Sequence, residues 1–196
     1  LHLKLVIKDG HVTLDPTGST PQRASPMNCI RAMAMTVPAF IVKCLIDDRV
    51  PVNTGFLRRI RTAGPDGLIC TAQRPAAVVG GWETVFRMTE LLWLALHPVL
   101  PDRVPAASKG LIVNIGFGGH NPRKGEYYCY METIGGGNGA RPTKDGPDAV
   151  QTNIHNTENA PVEEVELNYP IRIKRYELIP DSEGPGRQRG GLGLRR

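Results

Sequence analysis

The first fifteen positions interleave apolar and basic residues. Leu3, Leu5 and Ile7 alternate with Lys4, Val6 and Lys8, and beyond Asp9-Gly10 the apolar role passes to Val12 and Leu14. Period-two patterning around an Asp-Gly pair predicts a β-hairpin. Ser25-Pro26 then reads as a helix N-cap with proline at the first helical position. From Asn28 to about Asp47, Ile30, Met33, Val37, Ile41, Cys44 and Leu45 recur at three- and four-residue spacing, which predicts a helix with one apolar face, kinked at Pro38. Val85, Met88, Leu92 and Ala95 predict a second helix over Glu83 to His97, stopped by Pro98.

Between these helices, Gly55, Gly64, Pro65, Gly67, Pro75, Gly80 and Gly81 leave room only for loops and short strands, among them Leu68 to Cys70. Leu111 to Ile115 and the tyrosine-rich Glu126 to Ile134 predict strands, with a break at Gly116 to Gly119. Gly135 to Pro147 predicts a loop. Val162 to Leu167 and Ile171 to Leu178 alternate apolar and charged residues and predict two more strands, the second bounded by Pro170 and Pro180. Asp181 to Gly193 returns to turn sequence. Strands in separate stretches outnumber two clear helices, so the expected class is α+β, sheet-rich and of unread topology. With no internal repeat, no separating linker, no initiator Met and a basic end at Arg195 and Arg196, residues 1–196 are expected to be a single fragment of a larger subunit.

Composition narrows the functional classes. Hydrophobic residues at 40% and charged residues at 22% suit a globular chain of 196 residues. No apolar run approaches the roughly 20 residues that cross a bilayer, so no membrane partner is expected. The net charge of +5 gathers at Arg58, Arg59 and Arg61 and again at Arg187, Arg189, Arg195 and Arg196, with no basic helix or stacking aromatics to join them. A solvated or subunit-facing basic surface is the expectation, with no nucleic acid. Cys29, Cys44, Cys70 and Cys129 lack zinc-site spacing and no N-glycosylation acceptor occurs, which favours reduced thiols and a cytoplasmic location.

The candidate chemistry lies in Gly135-Gly136-Gly137-Asn138-Gly139-Ala140-Arg141-Pro142. Glycines allow backbone N–H groups to line an anion-binding concavity. A nucleotide phosphate loop also needs Lys-Ser or Lys-Thr opening a helix, which Pro142, Gly146 and Pro147 forbid. What remains is either a plain tight turn or a bend that lets backbone approach a ligand or another subunit, followed by Arg141, Lys144 and Asp145. Asn153, His155, Asn156, Thr157, Glu158 and Asn159 then form a run of donors and acceptors. Such a run either binds an amide or carboxylate or builds a network of Asx turns.

Four segments carry a resemblance: GGGNGARPTKDGPDAV from Gly135, NTENAPVEEVE from Asn156, YPIRIKRYEL from Tyr169 and GPGRQRGGLG from Gly184. On these the chain resembles the hydantoinase B/oxoprolinase family, B-type subunits of ATP-dependent hydantoinases, oxoprolinases and acetone- or acetophenone-type carboxylases. It departs at Asn138, where many relatives carry a large residue, and at Trp82, where a small polar one is common. The resemblance implies a hydrolase of a cyclic amide such as a hydantoin, oxoproline or another lactam, working in a hetero-oligomer with an A-type subunit that binds ATP and Mg. A subunit of the carboxylase branch acting on a ketone, or a non-catalytic assembly domain, is the alternative. Arg141, Lys144 and Asp145 are the implied catalytic residues. Gly135, Gly136, Gly137, Gly139, His155, Asn156 and Asn159 are the implied substrate-binding ones. No metal ligand is expected in this stretch; the family's metal-rich region lies in the preceding N-terminal half, and the fragment is not expected to act alone.

Overall fold

The computed structural model describes residues 1–196. The chain divides into two compact units, Leu1–Val104 and Pro105–Arg196, which abut in sequence with no linker and no shift of composition at the junction.

In the first unit, β1 (Lys4–Lys8) and β2 (His11–Asp15) form the expected antiparallel hairpin. Asp9 and Gly10 both hold positive φ, 51° and 69°, the conformation that a two-residue turn demands and that Asp-Gly tolerates. Short β3 (Ile60–Thr62) adds to β2 in parallel, giving the order β1-β2-β3. Helix α1 (Arg31–Leu45) packs on β2, β3 and α3 (Gly81–Leu96), and α2 (Thr54–Leu57) is a single turn capped by the Asn53 side chain. Leu14, Val37, Ile41, Phe86, Met88 and Leu92 fill the core.

Helix α1 begins at Arg31, later than Ser25-Pro26 suggested, and Ile30 makes no side-chain cap. Asn28 explains the delay. Its buried side chain accepts from Arg23 N and donates to the carbonyls of Arg23, Ser25 and Ala77, fixing residues 23–28 as a closed loop. Leu68 to Cys70 makes one isolated bridge to Pro21 and no strand, since Thr71 folds the segment back through its hydroxyl to Pro65 O.

In the second unit, β4 (Val113–Asn121) and β5 (Glu126–Ile134) pair antiparallel over nine residues each. Gly116 to Gly119 therefore lies inside a strand instead of breaking one. Gly116 and Gly118 stand opposite Met131 and Cys129 on the exposed side, while Ile115 and Phe117 alternate with them and supply the opposite face. Val162–Asn168 is a helix, α4, where alternation had suggested a strand. Pro161 precedes it and Glu163 and Glu164 occupy its first turn, favourable at the positive end of the helix dipole, while Val162 and Val165 share a face at helical spacing. Ile171 to Lys174 keeps its in-and-out alternation without a ladder partner, and only Glu177–Ile179 forms a strand, β6, paired with β7 (Gly193–Arg195). No helix is long and apolar enough to cross a membrane. Helices with small, separate sheets make the fold α+β, as expected.

Candidate functional site

Gly135 to Ala140 runs as an extended bend enclosed by other backbone of the second unit. Gly136 exchanges hydrogen bonds with Val150, Asn138 N donates to Pro147 O, and Gly191 N donates to Asn138 O, all at 2.8–3.1 Å. On the opposite edge, Lys109 N donates to Gly137 O and Ala106 N to Ala140 O. These contacts leave no room for side chains. A Cβ on Gly137 would overlap the Gly191 carbonyl, one on Gly139 the Ala106 carbonyl, and one on Gly146 the Asn138 carbonyl. The glycines thus serve close approach of the chain to itself, which sequence reasoning had offered to a ligand or a second subunit.

One side of this bend remains open. Gly135 to Ala140, with Ser108, Lys109, Gln188 and Gly191, lines a cavity of about 460 Å³, within the range that takes a small molecule. Its polar lining residues are Ser108, Lys109, Asn138, Ser182 and Gln188, of which Ser108, Lys109, Asn138 and Ser182 already hold internal hydrogen bonds. Ser108 belongs to Ala106-Ala107-Ser108, a weaker piece of the family resemblance, whereas Lys109 directly after it carried no signal of a site. Gly190-Gly191 reaches the cavity from over fifty positions later in the chain, and only its glycines hinted at a close approach.

Other predicted residues stand elsewhere. Arg141 and Lys144 exchange backbone hydrogen bonds of 2.9 and 3.3 Å across a tight turn, with their side chains exposed and outside the cavity lining. Asp145 accepts from Arg189 N at 2.8 Å and pairs with its guanidinium at 3.6 Å. Asp148 accepts from Leu192 N at 2.7 Å and from Arg189 Nη1 at 3.2 Å, and the Leu192 amide, with Arg189 beside it, holds its carboxyl below the usual carboxylate range. Arg189 is therefore a tie between loops and not part of a basic surface. Arg195 pairs with Glu177 and Arg196 with Glu132, so three of the four C-terminal arginines are ion-paired and Arg187 is left exposed.

His155 sits in a polar chain. Its Nδ1 bonds Gln151 Oε1 at 3.1 Å, its Nε2 bonds Thr157 Oγ1 at 2.7 Å, and Lys109 Nζ donates to the same Gln151 oxygen at 3.3 Å and to Ile134 O at 2.6 Å. Burial, and then the Lys109 charge, push the imidazole pKa down, favouring the neutral ring. Asn156 is exposed, and Asn159 buries an amide oxygen that has no hydrogen-bond partner. Neither Asn156, Asn159 nor His155 lines the cavity; His155 connects to its wall through Gln151 and Lys109.

Two properties of the bend bear on bound groups. No helix starts from residues 135–150, and the glycine amides of Gly136 and Gly139 are already taken by Val150 O and Asn138 Oδ1. That arrangement does not fit nucleotide phosphates. Nor do His, Cys, Asp and Glu side chains cluster in threes that would hold a metal ion.

The α+β architecture, with its glycine-built bend, places the chain among known proteins. The model of the hydantoinase B/oxoprolinase family matches residues 1–196, and the chain belongs to that family. It is 40% identical over 197 residues to an uncharacterized protein of Methanocaldococcus jannaschii, covering 100% of this chain and 34% of that one. It is 33% identical over 202 residues to the putative B-type subunit of a D-/L-hydantoinase from a Pseudomonas species, covering 98% of this chain and 34% of the relative. Among solved structures it resembles the ATP-dependent caprolactamase of Pseudomonas jessenii, with a TM-score of 0.80 and 27% identity, over 98% of this chain and 34% of that chain. The chain thus spans about a third of the length of these relatives.

Proposed function

We propose that this chain is the part of a B-type subunit that carries a substrate cavity of an ATP-dependent cyclic-amide hydrolase, working in the cytoplasm with an ATP-binding A-type subunit. The observation that carries the reading is the cavity along Gly135–Ala140, walled by the most family-specific segment of the sequence. ATP belongs on the partner, because the bend here does not fit nucleotide phosphates, and a divalent metal has no cluster of three ligating side chains on this chain.

Within the cavity, Gln188 and the amide nitrogen of Asn138 carry groups that match a ring amide, and Lys109, held by Ile134 O and Gln151, contributes positive charge to the wall. A wall of backbone cannot change rotamer, so a ligand against it meets fixed dipoles. Arg141 and Lys144, at the exposed tip of the same segment, are placed to meet a charged group brought by the partner. Asp145 holds that tip in place through Arg189.

The exposure of Arg141 and Lys144 also supports a second reading, in which this tip is an assembly surface. Co-expressing the full-length subunit with its A-type partner, and measuring ATP hydrolysis against hydantoins, lactams and ketones, separates the two. Ala140→Leu, which fills the cavity, is expected to abolish substrate-stimulated ATP hydrolysis with assembly intact. Arg141→Ala with normal assembly and lost turnover supports the catalytic role; lost co-purification with activity restored on reconstitution supports the assembly role. Stimulation by ketones and bicarbonate alone would move the chain to the carboxylase branch. No stimulation by any compound would overturn the enzyme reading.

A further inference from the structure

A second cavity, of about 420 Å³, lies in the second unit between the inward face of β4–β5 and the extended segment Ile171–Arg175. Its walls are mainly apolar, from Ile115, Phe117, Ile134, Val165, Ile171 and Ile173. Arg196 also lines it, with a side chain only 5% exposed. One arm of this guanidinium, Nη1, meets the buried Glu132 carboxylate, whose other oxygen accepts from Tyr130 OH at 2.7 Å. The Tyr176 ring lies 4.7 Å from the guanidinium carbon and supports its face.

The rest of Arg196 is unused. Nε and Nη2 are both buried and neither has a hydrogen-bond partner. Together they form the side-on edge of the guanidinium, two parallel N–H donors whose spacing matches the two oxygens of a carboxylate. Leaving two charged donors buried without acceptors is costly, so the arrangement calls for an acceptor from outside this set of residues. The surroundings state its charge. Arg172, Lys174, Arg175 and Arg195 also border the cavity; Arg175 and Arg195 share the single carboxylate of Glu177, and Glu132, the lone acidic lining residue, is already matched to Arg196, so positive charge stays in excess.

We propose that this cavity is a binding site for a small aliphatic carboxylate, its two oxygens on the Nε–Nη2 edge of Arg196 and its hydrocarbon body against Ile115, Phe117, Ile134 and Ile173. Glu132 and Tyr130 are positioning residues: Glu132 engages Nη1, and Tyr130, donating to the other Glu132 oxygen, holds that carboxylate in place, which leaves the other edge of the guanidinium for the ligand. The site lies on residues other than those lining the glycine-walled cavity and stands whether or not the hydrolase reading does.

The test is ligand-observed NMR and calorimetry on the full-length subunit with hexanoate, hexanamide and inorganic sulfate. Hexanoate is expected to bind at about millimolar strength, and hexanamide about tenfold more weakly for want of the charged pair of acceptors. Arg196→Lys keeps the charge and the partner for Glu132 but removes the fork, so hexanoate affinity should fall about tenfold while the melting temperature holds. Ile173→Trp, which fills the cavity from its half-buried wall, should remove hexanoate binding by itself and checks the site independently of Arg196. Sulfate binding as well as hexanoate would reduce the site to its basic rim and overturn the proposal. So would equal affinity in Arg196→Lys, no hexanoate binding by the wild type, or a full-length structure in which another carboxylate or carbonyl of the subunit already occupies the Nε–Nη2 edge.

Discussion

Phe86, Met88 and Leu92 in the first unit are sheathed by other apolar side chains such as Val37, Ile41 and Leu14, whereas the buried apolar side chains of the second unit are Ile112, Tyr130 and Val165. The first unit is built as most small domains are, by two helix faces closing on a sheet. The second is held by backbone meeting backbone at Gly137, Gly139, Gly146 and Gly191, and by carboxylates that tie distant loops. A side-chain core yields to substitution by shifting rotamers; a backbone contact has nothing to shift. The unit with few side chains inside therefore presents the more rigid cavity wall, and it is the unit in which the candidate site lies.

The contrast is broken most severely at Gly139. A methyl group there overlaps the Ala106 carbonyl, so Gly139→Ala is expected to cost about 4 kcal/mol or more, at the extreme of single substitutions. Hydrogen exchange on the full-length subunit should show protection lost across Pro105–Arg196 while α1 and α3 stay protected. Uniform loss in both units, or no loss, would contradict the division. The matching change in the first unit is Phe86→Ala, which leaves a cavity in a packed core and should cost about 3–5 kcal/mol, read from urea unfolding. Its effect should be confined to residues 1–104.

These two sites differ in how they could be read from sequence. Phe86 lies on α3, whose apolar spacing and terminal Pro98 were sufficient to place the helix. Likewise Asp9-Gly10 marked its hairpin, because the turn needs positive φ that few residue pairs accept. Gly135 to Ala140 was legible as a bend but not as a bend closed on Ala106, Pro147 and Gly191, since hydrogen bonds between irregular segments leave no periodicity. Val162–Asn168 shows the limit from another side. Valines three apart, with glutamates between and after them, satisfy a short strand pattern and a short helix pattern alike, and Pro161 with the dipole decided. The exposed Arg141 and Lys144 were readable as cations, whereas the ties from Arg189 to Asp145 and Asp148, spanning more than forty residues, were not.

Those ties predict a milder, pH-dependent difference. Asp148 has its carboxyl pKa lowered in the folded chain, chiefly by the Leu192 amide. A lowered folded pKa means that the unfolded chain binds the proton more readily, so the stabilisation is present above the unfolded value of 3.8 and is lost as pH falls through the folded value. Asp148→Asn should lower the urea midpoint at neutral pH by less than either substitution above, and should flatten the acid limb below pH 3.8. An unchanged acid limb would remove Asp148 from the account.

The smallest effect is expected at the cysteines, which report on both units at once. Cys29 and Cys70 are buried in the first unit, and burial pushes the Cys29 thiol up to about 12, so almost none of it is thiolate near neutrality. Cys129 lies on the exposed face of β5, opposite Gly118. Cys129→Ser should therefore change stability by no more than about 0.5 kcal/mol, the range of ordinary surface substitutions. Under iodoacetamide at neutral pH, Cys129 and the exposed Cys44 should alkylate in the native protein, with Cys29 and Cys70 reacting only after unfolding. In Gly139→Ala the order among Cys44, Cys29 and Cys70 should persist, because all three belong to the unit that the substitution leaves intact. Early alkylation of Cys29 in that variant would show that the backbone-built unit also supports the side-chain core, and the two could no longer be treated as separately stabilised.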